Sequence, residues 1–292
     1  MDDAPSSLEN RRPADVEADG ALAILGPELA AARPAANPGP LVFQYRVLKA
    51  LVLREMAARH GESRLGYLMS IILPLFTLTV LMVAFSLRGK TFPTDFSLGA
   101  FVVTGYPLWQ AFQGMYQRVM GAASRSDPLL MFPQITQLDL IFSLIILEVA
   151  TNTVVYVCMI IGVLVVFQEP IPDDPVGVLL IYWACHWIGA GLGLVLCGVN
   201  RLVPSVVLVF NAFMRFGMWV SGVVFAVNRL PVWTWPYLKW NPILHCTEGA
   251  RHLWKSTFEA PIFDPVYIIS VGCILTTVGL IVERASRRFV GP

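Results

Sequence analysis

Six apolar stretches constrain this chain more than anything else in it: Leu65 to Leu87, Leu98 to Tyr116, Leu138 to Phe167, Val176 to Val199, Pro204 to Val227 and Pro265 to Val282. Each is about as long as the roughly 20 residues a helix needs to cross a hydrocarbon core about 30 Å thick. Lipid offers no partner to a free backbone N–H or C=O, so segments of this kind cross as helices. The 292 residues are 56% hydrophobic and 14% charged, against about a quarter charged in an ordinary globular chain. The expected fold is therefore all-α: a polytopic membrane protein with six transmembrane helices.

The segments between the runs are as informative. Residues 1–40, rich in Asp, Glu, Ala and Pro, read as a disordered cytoplasmic tail with neither the basic start nor the apolar stretch of a secretory signal. Residues 41–292 form the membrane domain. Phe43 to His60 places Val47, Leu48, Leu51, Val52 and Met56 at helical spacing, with Arg46, Lys49, Arg54 and Arg59 on other faces, the pattern of an amphipathic helix lying on a membrane surface. Pro74 is expected to kink the first span. Gln117 to Gln137 reads as a structured polar loop with a short helix, and Asn228 to Asp264, crowded with Trp, Pro and charge, as interfacial or re-entrant structure.

Lys and Arg in short loops set orientation. They precede the first span, and they recur as Arg118 and Arg125 after the second, Arg201 after the fourth and Arg284, Arg287 and Arg288 after the sixth. These sides are assigned to the cytoplasm, which leaves the acidic Gln168 to Pro175 loop outside and both termini inside.

Candidate chemistry is sparse, and no catalytic residue is expected. Gly61 to Gly66 has the glycine spacing of a phosphate-binding loop but is followed by Tyr67 and Leu68 where Lys and Ser/Thr are required, so the chain is not expected to bind ATP. Three ionisable residues fall inside spans: Glu148, His186 and Arg215. Counting 1.5 Å per residue from the cytoplasmic ends places Glu148 and Arg215 each about 15 Å deep. The expectation is an intramembrane ion pair between them, preferred over a proton relay because only His186 would extend it. His245, Cys246 and His252 match no zinc spacing, so no metal is expected. Gly189, Gly193 and Cys197 repeat every four residues, a packing pattern of spanning helices. Trp219, Phe225, Trp233, Trp235, Tyr237, Trp240, Trp254 and Phe258 read equally as an interfacial belt or as the lining of a path for sugar rings, with Trp219, Phe225, Trp233, Trp240 and Trp254 as the path candidates.

The basic helix running into Arg64-Leu-Gly-Tyr67, six spans, and Asn241-Pro-Ile-Leu-His-Cys-Thr-Glu-Gly-Ala-Arg-His-Leu-Trp254 before the last span together resemble the polysaccharide-export permeases of the ABC-2 type, most closely those for capsule. The resemblance covers Phe43 to Val290. It implies a homodimeric permease in the bacterial inner membrane, two separate nucleotide-binding ATPase subunits that hold ATP and Mg, a lipid-linked capsular polysaccharide as cargo, and periplasmic and outer-membrane export partners. No cofactor is implied for this chain itself. It places the coupling element at Arg125, Ser126, Asp127, Pro128, Leu129 and Phe132, a cytoplasmic gate at Arg59, Arg64 and Tyr67, and short periplasmic re-entrant helices within Leu230 to Ile262. The rival readings are a permease of the same architecture for O-antigen, teichoic acid or a drug, a membrane-embedded glycan transferase, and an ion-driven transporter. The transferase needs a polar catalytic cluster and the ion-driven transporter needs more mid-membrane charge.

Overall fold

The computed structural model describes residues 40–60, 64–87, 96–122 and 136–290. Among them every regular element is helical: α1 (Pro40–His60), α2 (Arg64–Ser86), α3 (Leu98–Val103), α4 (Tyr106–Ala122), α5 (Gln137–Phe167), α6 (Pro175–Leu202), α7 (Pro204–Val220), α8 (Trp235–Leu238), α9 (Pro242–Trp254) and α10 (Pro265–Val290). Single 3-10 turns occupy Val227–Arg229 and Val232–Thr234. The chain divides into two units, Met1–Val47 and Leu48–Pro292, and the packing below is that of the second. Gln137–Phe167, Pro175–Leu202 and Pro265–Ser286 are long and apolar enough to cross a membrane, and Ile72–Ala84 and Pro204–Val220 are shorter apolar helices.

Local chemistry sets the helix starts. Thr136 and Asp139 form a capping box at α5: the Asp139 N–H donates to Thr136 Oγ1 at 3.3 Å and the Thr136 N–H to Asp139 Oδ2 at 2.9 Å, so two otherwise orphaned donors are satisfied reciprocally. At α6 the Asp174 carboxylate accepts from the Gly177 N–H at 2.8 Å while Pro175 takes the first turn, where its missing N–H costs nothing.

The second apolar run is two helices rather than one continuous helix. Thr104 turns its hydroxyl back onto the Ala100 and Phe101 carbonyls, and α4 restarts at Tyr106 and Pro107. At the break, a Cβ on Gly105 would stand 3.3 Å from the Arg251 guanidinium and from the backbone of Phe101 and Val223. The helix also continues past the expected end at Tyr116 to Ala122, carrying Arg118 with it. The fifth run shows the reverse correction: α7 ends at Val220, because Gly222 adopts φ +73 and the chain leaves the helix.

α6 lies between α4 and α10, and its small residues make that possible. A Cβ at Gly189 would sit 2.6 Å from the Phe112 carbonyl oxygen, and one at Gly193 2.6 Å from Val119 Cβ, both on α4. On the other side, Gly191 faces Leu275 and Thr276 of α10. The four-residue repeat seen in the sequence is thus a packing device, and Cys197 is buried on the same face. Trp187 Nε1 donates to Thr276 Oγ1 at 3.0 Å, and Arg201 donates to Gln137 and pairs with Glu283 at 3.7 Å, tying α5, α6 and α10 at one end. α7 is seated more lightly, with Val207 its one fully buried residue, although Gly217 lets it reach the Trp109 ring.

Gly189→Ala and Gly193→Ala are each expected to cost about 1–3 kcal/mol from overpacking. Gly162→Ala, with nothing within 4 Å of the added atom, is expected to be neutral. Thermal unfolding of the detergent-purified variants checks the contrast.

Candidate functional site

The end of α7 sets a problem that the sequence does not display. A helix leaves its last carbonyls without partners, and here the chain just past the helix end, Ser221 and Gly222, is buried. Three side chains at and along α9 supply the partners, and a fourth, Glu248, takes a backbone N–H. Asn241, the N-cap of α9, accepts from the Ile243 N–H and donates through Nδ2 to the Val220 carbonyl at 3.2 Å and to Ser221 Oγ at 3.1 Å. The Thr247 hydroxyl donates to the Ser221 carbonyl at 3.0 Å. Arg251 donates through Nη2 to the Gly222 carbonyl at 2.5 Å, and through Nη1 to the Phe225 carbonyl at 2.9 Å and Glu248 Oε1 at 3.1 Å. Glu248 Oε1 in turn accepts from the Val227 N–H at 3.3 Å.

Arg251 is fully buried, and its guanidinium lies over the Phe101 ring, 3.9 Å from the centroid. Burial pulls the guanidinium down to about 10, against the opposing pull of Glu248. Burial likewise pushes the Glu248 carboxyl above its ordinary value, partly offset by Arg251 and the Val227 N–H. The pair at i and i+3 on α9 therefore clamps residues 221–227 into a fixed path between α7 and α8.

Beyond the clamp, the polypeptide forms an open groove of about 700 Å³ lined by Val232, Trp235, Pro236, Lys239, Trp240, His245, Pro261, Ile262, Phe263, Asp264 and Tyr267. Tyr267 donates its hydroxyl to the Trp240 carbonyl at 2.9 Å, and the His245 and Tyr267 rings meet at 4.5 Å. His245 Nε2 lies 2.8 Å from the Lys239 carbonyl. Burial lowers the imidazole's affinity for a proton, with the Lys239 carbonyl and the Asp264 carboxylate opposing.

The expected aromatic path separates into two groups. Trp219, Trp233 and Trp240 are exposed, Phe225 packs partly buried against the small cluster of Val227, Leu244 and Ile262, and Trp254 is 4% exposed inside the main core. Trp254 therefore faces no open surface of the chain. Trp235, part of the aromatic cluster in the sequence, lines the groove, and so does Tyr267, which nothing in the sequence marks because sequence gives no side-chain direction. His245, Cys246 and His252 have separate surroundings: His245 lies in the groove, Cys246 is buried against Cys185, and His252 meets the Phe258 carbonyl.

The expected Glu148–Arg215 pair is replaced by another. Glu148 Oε2 accepts from Arg118 Nε at 2.8 Å, and Oε1 accepts from Asn152 at 2.8 Å. Arg215 is exposed on α7. Equal depth along the membrane normal does not fix which face of a helix a residue occupies, and Arg118 is brought to Glu148 only because α4 runs past Tyr116. The pair borders a cavity of about 180 Å³ that also includes Gln110, Asn152, Tyr156 and Tyr182. Arg125, Ser126, Asp127, Pro128, Leu129 and Phe132 lie outside the described residues, as do the side chains of Arg59, Arg64 and Tyr67.

Residues 46–254, a stretch containing α4, α6 and the whole of the α9 clamp, match the ABC-2 type transporter family. The chain belongs to this family. Among proteins similar to this ABC-2 member, the capsule polysaccharide export inner-membrane protein CtrC of Neisseria meningitidis serogroup A is 27% identical over 252 residues, covering 86% of this chain and 95% of that protein. The capsule polysaccharide export inner-membrane protein BexB of Haemophilus influenzae is 28% identical over 213 residues, 73% of this chain and 80% of its own length. The polysialic acid transport protein KpsM of Escherichia coli is 26% identical over 205 residues, 70% and 79% of the two chains.

Two predictions follow from the geometry of this ABC-2 chain. Arg251→Met, which removes the cation paired with the buried Glu248 and the donors to two carbonyls, is expected to destabilise the protein by about 3–5 kcal/mol, read as a fall in unfolding temperature and loss of monodisperse protein in detergent. A double-mutant cycle on Arg118 and Glu148 is expected to give a coupling of about 0.5–3 kcal/mol, whereas Arg215 and Glu148 should add within about 0.5 kcal/mol.

Proposed function

We propose that this chain is the membrane-spanning permease subunit of an ATP-driven exporter that carries lipid-linked capsular polysaccharide across the bacterial inner membrane. The observation that carries the reading is the joint one: membership of the ABC-2 type transporter family over residues 46–254, with similarity extending over 86% of the chain to a capsule polysaccharide export inner-membrane protein.

In this reading the chain crosses six times, with α3 and α4 together making the second crossing and both termini in the cytoplasm. α8 and α9 are the short periplasmic re-entrant helices before the last span. Two copies pair. The exposed apolar residues of α7, among them Leu208, Val209, Phe213 and Phe216, are consistent with a surface that meets lipid or a second copy. Two nucleotide-binding ATPase subunits hold ATP and Mg and engage Arg125 to Phe132. ATP binding there tilts the spans and opens a path from a cytoplasmic gate at Arg59, Arg64 and Tyr67 past Trp219, Phe225, Trp233 and Trp240. Aromatic faces suit a mobile polar polymer because they offer contact area without fixed hydrogen bonds. The cargo then passes to periplasmic and outer-membrane partners. No covalent step is asked of this chain.

Co-purification of the tagged chain with its genomic neighbours, followed by an ATPase assay and glycan analysis of a deletion strain, tests the proposal. A nucleotide-binding subunit recovered in equal amount, and polysaccharide accumulating inside the deleted cells, are the expected outcomes. A chain that purifies alone from cells that never make the polymer would sink it.

A further inference from the structure

We infer that the slot between the C-terminal halves of α2 and α5 is a binding site for one acyl chain of a bilayer phospholipid. The inference goes beyond the export reading and takes from it only that both helices lie in the membrane.

The slot has a volume of about 350 Å³, within the roughly 300–1,000 Å³ of small-molecule sites. Its floor is Leu78 and Met82 of α2 with Met159 and Val163 of α5, none more than 7% exposed. Its rim is Val83 on one side and Val166 on the other, 54% and 72% exposed, so the slot opens sideways between two apolar helices. Gly162 leaves room in the α5 wall, since a Cβ there would meet nothing within 4 Å among the described residues. The lining runs from Leu75 to Ser86 along α2, about 16 Å at 1.5 Å per residue. That is about half of a hydrocarbon core roughly 30 Å thick, the depth of one leaflet. α2 ends at Ser86 and α5 at Phe167, both at the same end of the slot, so that end stands where a headgroup belongs.

Chemistry and width narrow the occupant. Thr79 and Ser86 carry the hydroxyls of the lining, and each gives its proton to its own helix, Thr79 to the Leu75 carbonyl at 2.9 Å and Ser86 to the Val83 carbonyl at 2.8 Å. Water, which needs two to four polar partners, is poorly held there, and so is a sugar hydroxyl. Spread over the slot's length, the volume gives a mean cross-section of about 22 Å², the width of a single hydrocarbon chain. An α-helix about 10–12 Å across is too broad to enter, so a second copy of this chain covers the mouth without filling the slot. A void would forfeit the dispersion contacts of its whole lining, whereas the two floor methionines are flexible enough to close around a chain. Phospholipid is the hydrocarbon that surrounds these helices, and an acyl chain lying in the slot joins α2 to α5 over the depth of a leaflet.

The test places the full chain, purified with its genomic neighbours, in nanodiscs of phosphatidylethanolamine and phosphatidylglycerol that carry a trace of phosphatidylglycerol with a mid-chain diazirine. Photolysis and peptide mapping read which residues the acyl chain touches, and native mass spectrometry after detergent extraction reads the lipid retained. Labels on the floor residues Met82 and Met159, and a phospholipid retained by the chain, are expected. Val166→Trp closes the rim and Gly162→Leu fills the slot, and each is expected to lower floor labelling and retention about tenfold. Val165→Trp, at a neighbouring position 71% exposed and outside the lining, should behave as the parent does, which separates a blocked slot from a damaged fold. An unlabelled floor in the parent, as a second copy or residues 88–95 lying in the slot would give, overturns the site. So does a retained lipid that carries glycan, labelling unchanged in both slot variants, or an equal loss in Val165→Trp. Retention is read without transport, so failure here leaves the export reading standing, and a failed export test leaves the result for the slot standing.

Discussion

In a bilayer, a helix that ends short of the water must find partners for its last carbonyls within the protein. α7 ends at Val220, and α9 provides what water cannot: Asn241 to Val220, Thr247 to Ser221, and Arg251 to Gly222 and Phe225. One guanidinium can serve three acceptors because its planar fork presents five N–H donors, and Glu248 keeps its charge paired. The remainder of the segment between α7 and α10 hangs from this clamp. Gly105 has no side chain because Arg251 and Val223 occupy that space, so the break in the second run and the end of the fifth belong to one arrangement.

Below the clamp, α4, α6 and α10 form a tight trio whose backbones approach through Gly189, Gly193, Gly191 and Gly279. Close packing of this kind transmits displacement rather than absorbing it. α2 and α7 present many exposed apolar side chains around the trio. A stiff centre with lightly seated neighbours is an arrangement in which a push at one end of the spans reaches the clamp and groove at the other, as the exporter mechanism requires.

The Arg118–Glu148 pair adds a polar joint between α4 and α5. It borders a cavity with Asn152 and Gln110, while Tyr182 bonds the Asn152 carbonyl and stacks on Tyr156. Removing Arg118 would leave the buried Glu148 carboxylate without its cation in a weakly solvated place, so the joint resists separation of the two helices.

The sequence by itself determined the helical class, the approximate positions of the long apolar helices, the small-residue face of α6 and the segment from Asn241 to Trp254 that carries the family likeness. Each depends on local composition or on a 3.6-residue period, which a linear reading captures. Tertiary structure alone decided that Glu148 meets Arg118 and not Arg215, that Trp254 is core while Trp240 is exposed, that the second run breaks at Gly105, and that Glu248 serves a backbone N–H and Arg251 two carbonyls more than 20 residues earlier. Those facts depend on which face of one helix turns towards another, and on how the ends of separate helices satisfy each other's backbones. Neither leaves a periodic trace in the chain.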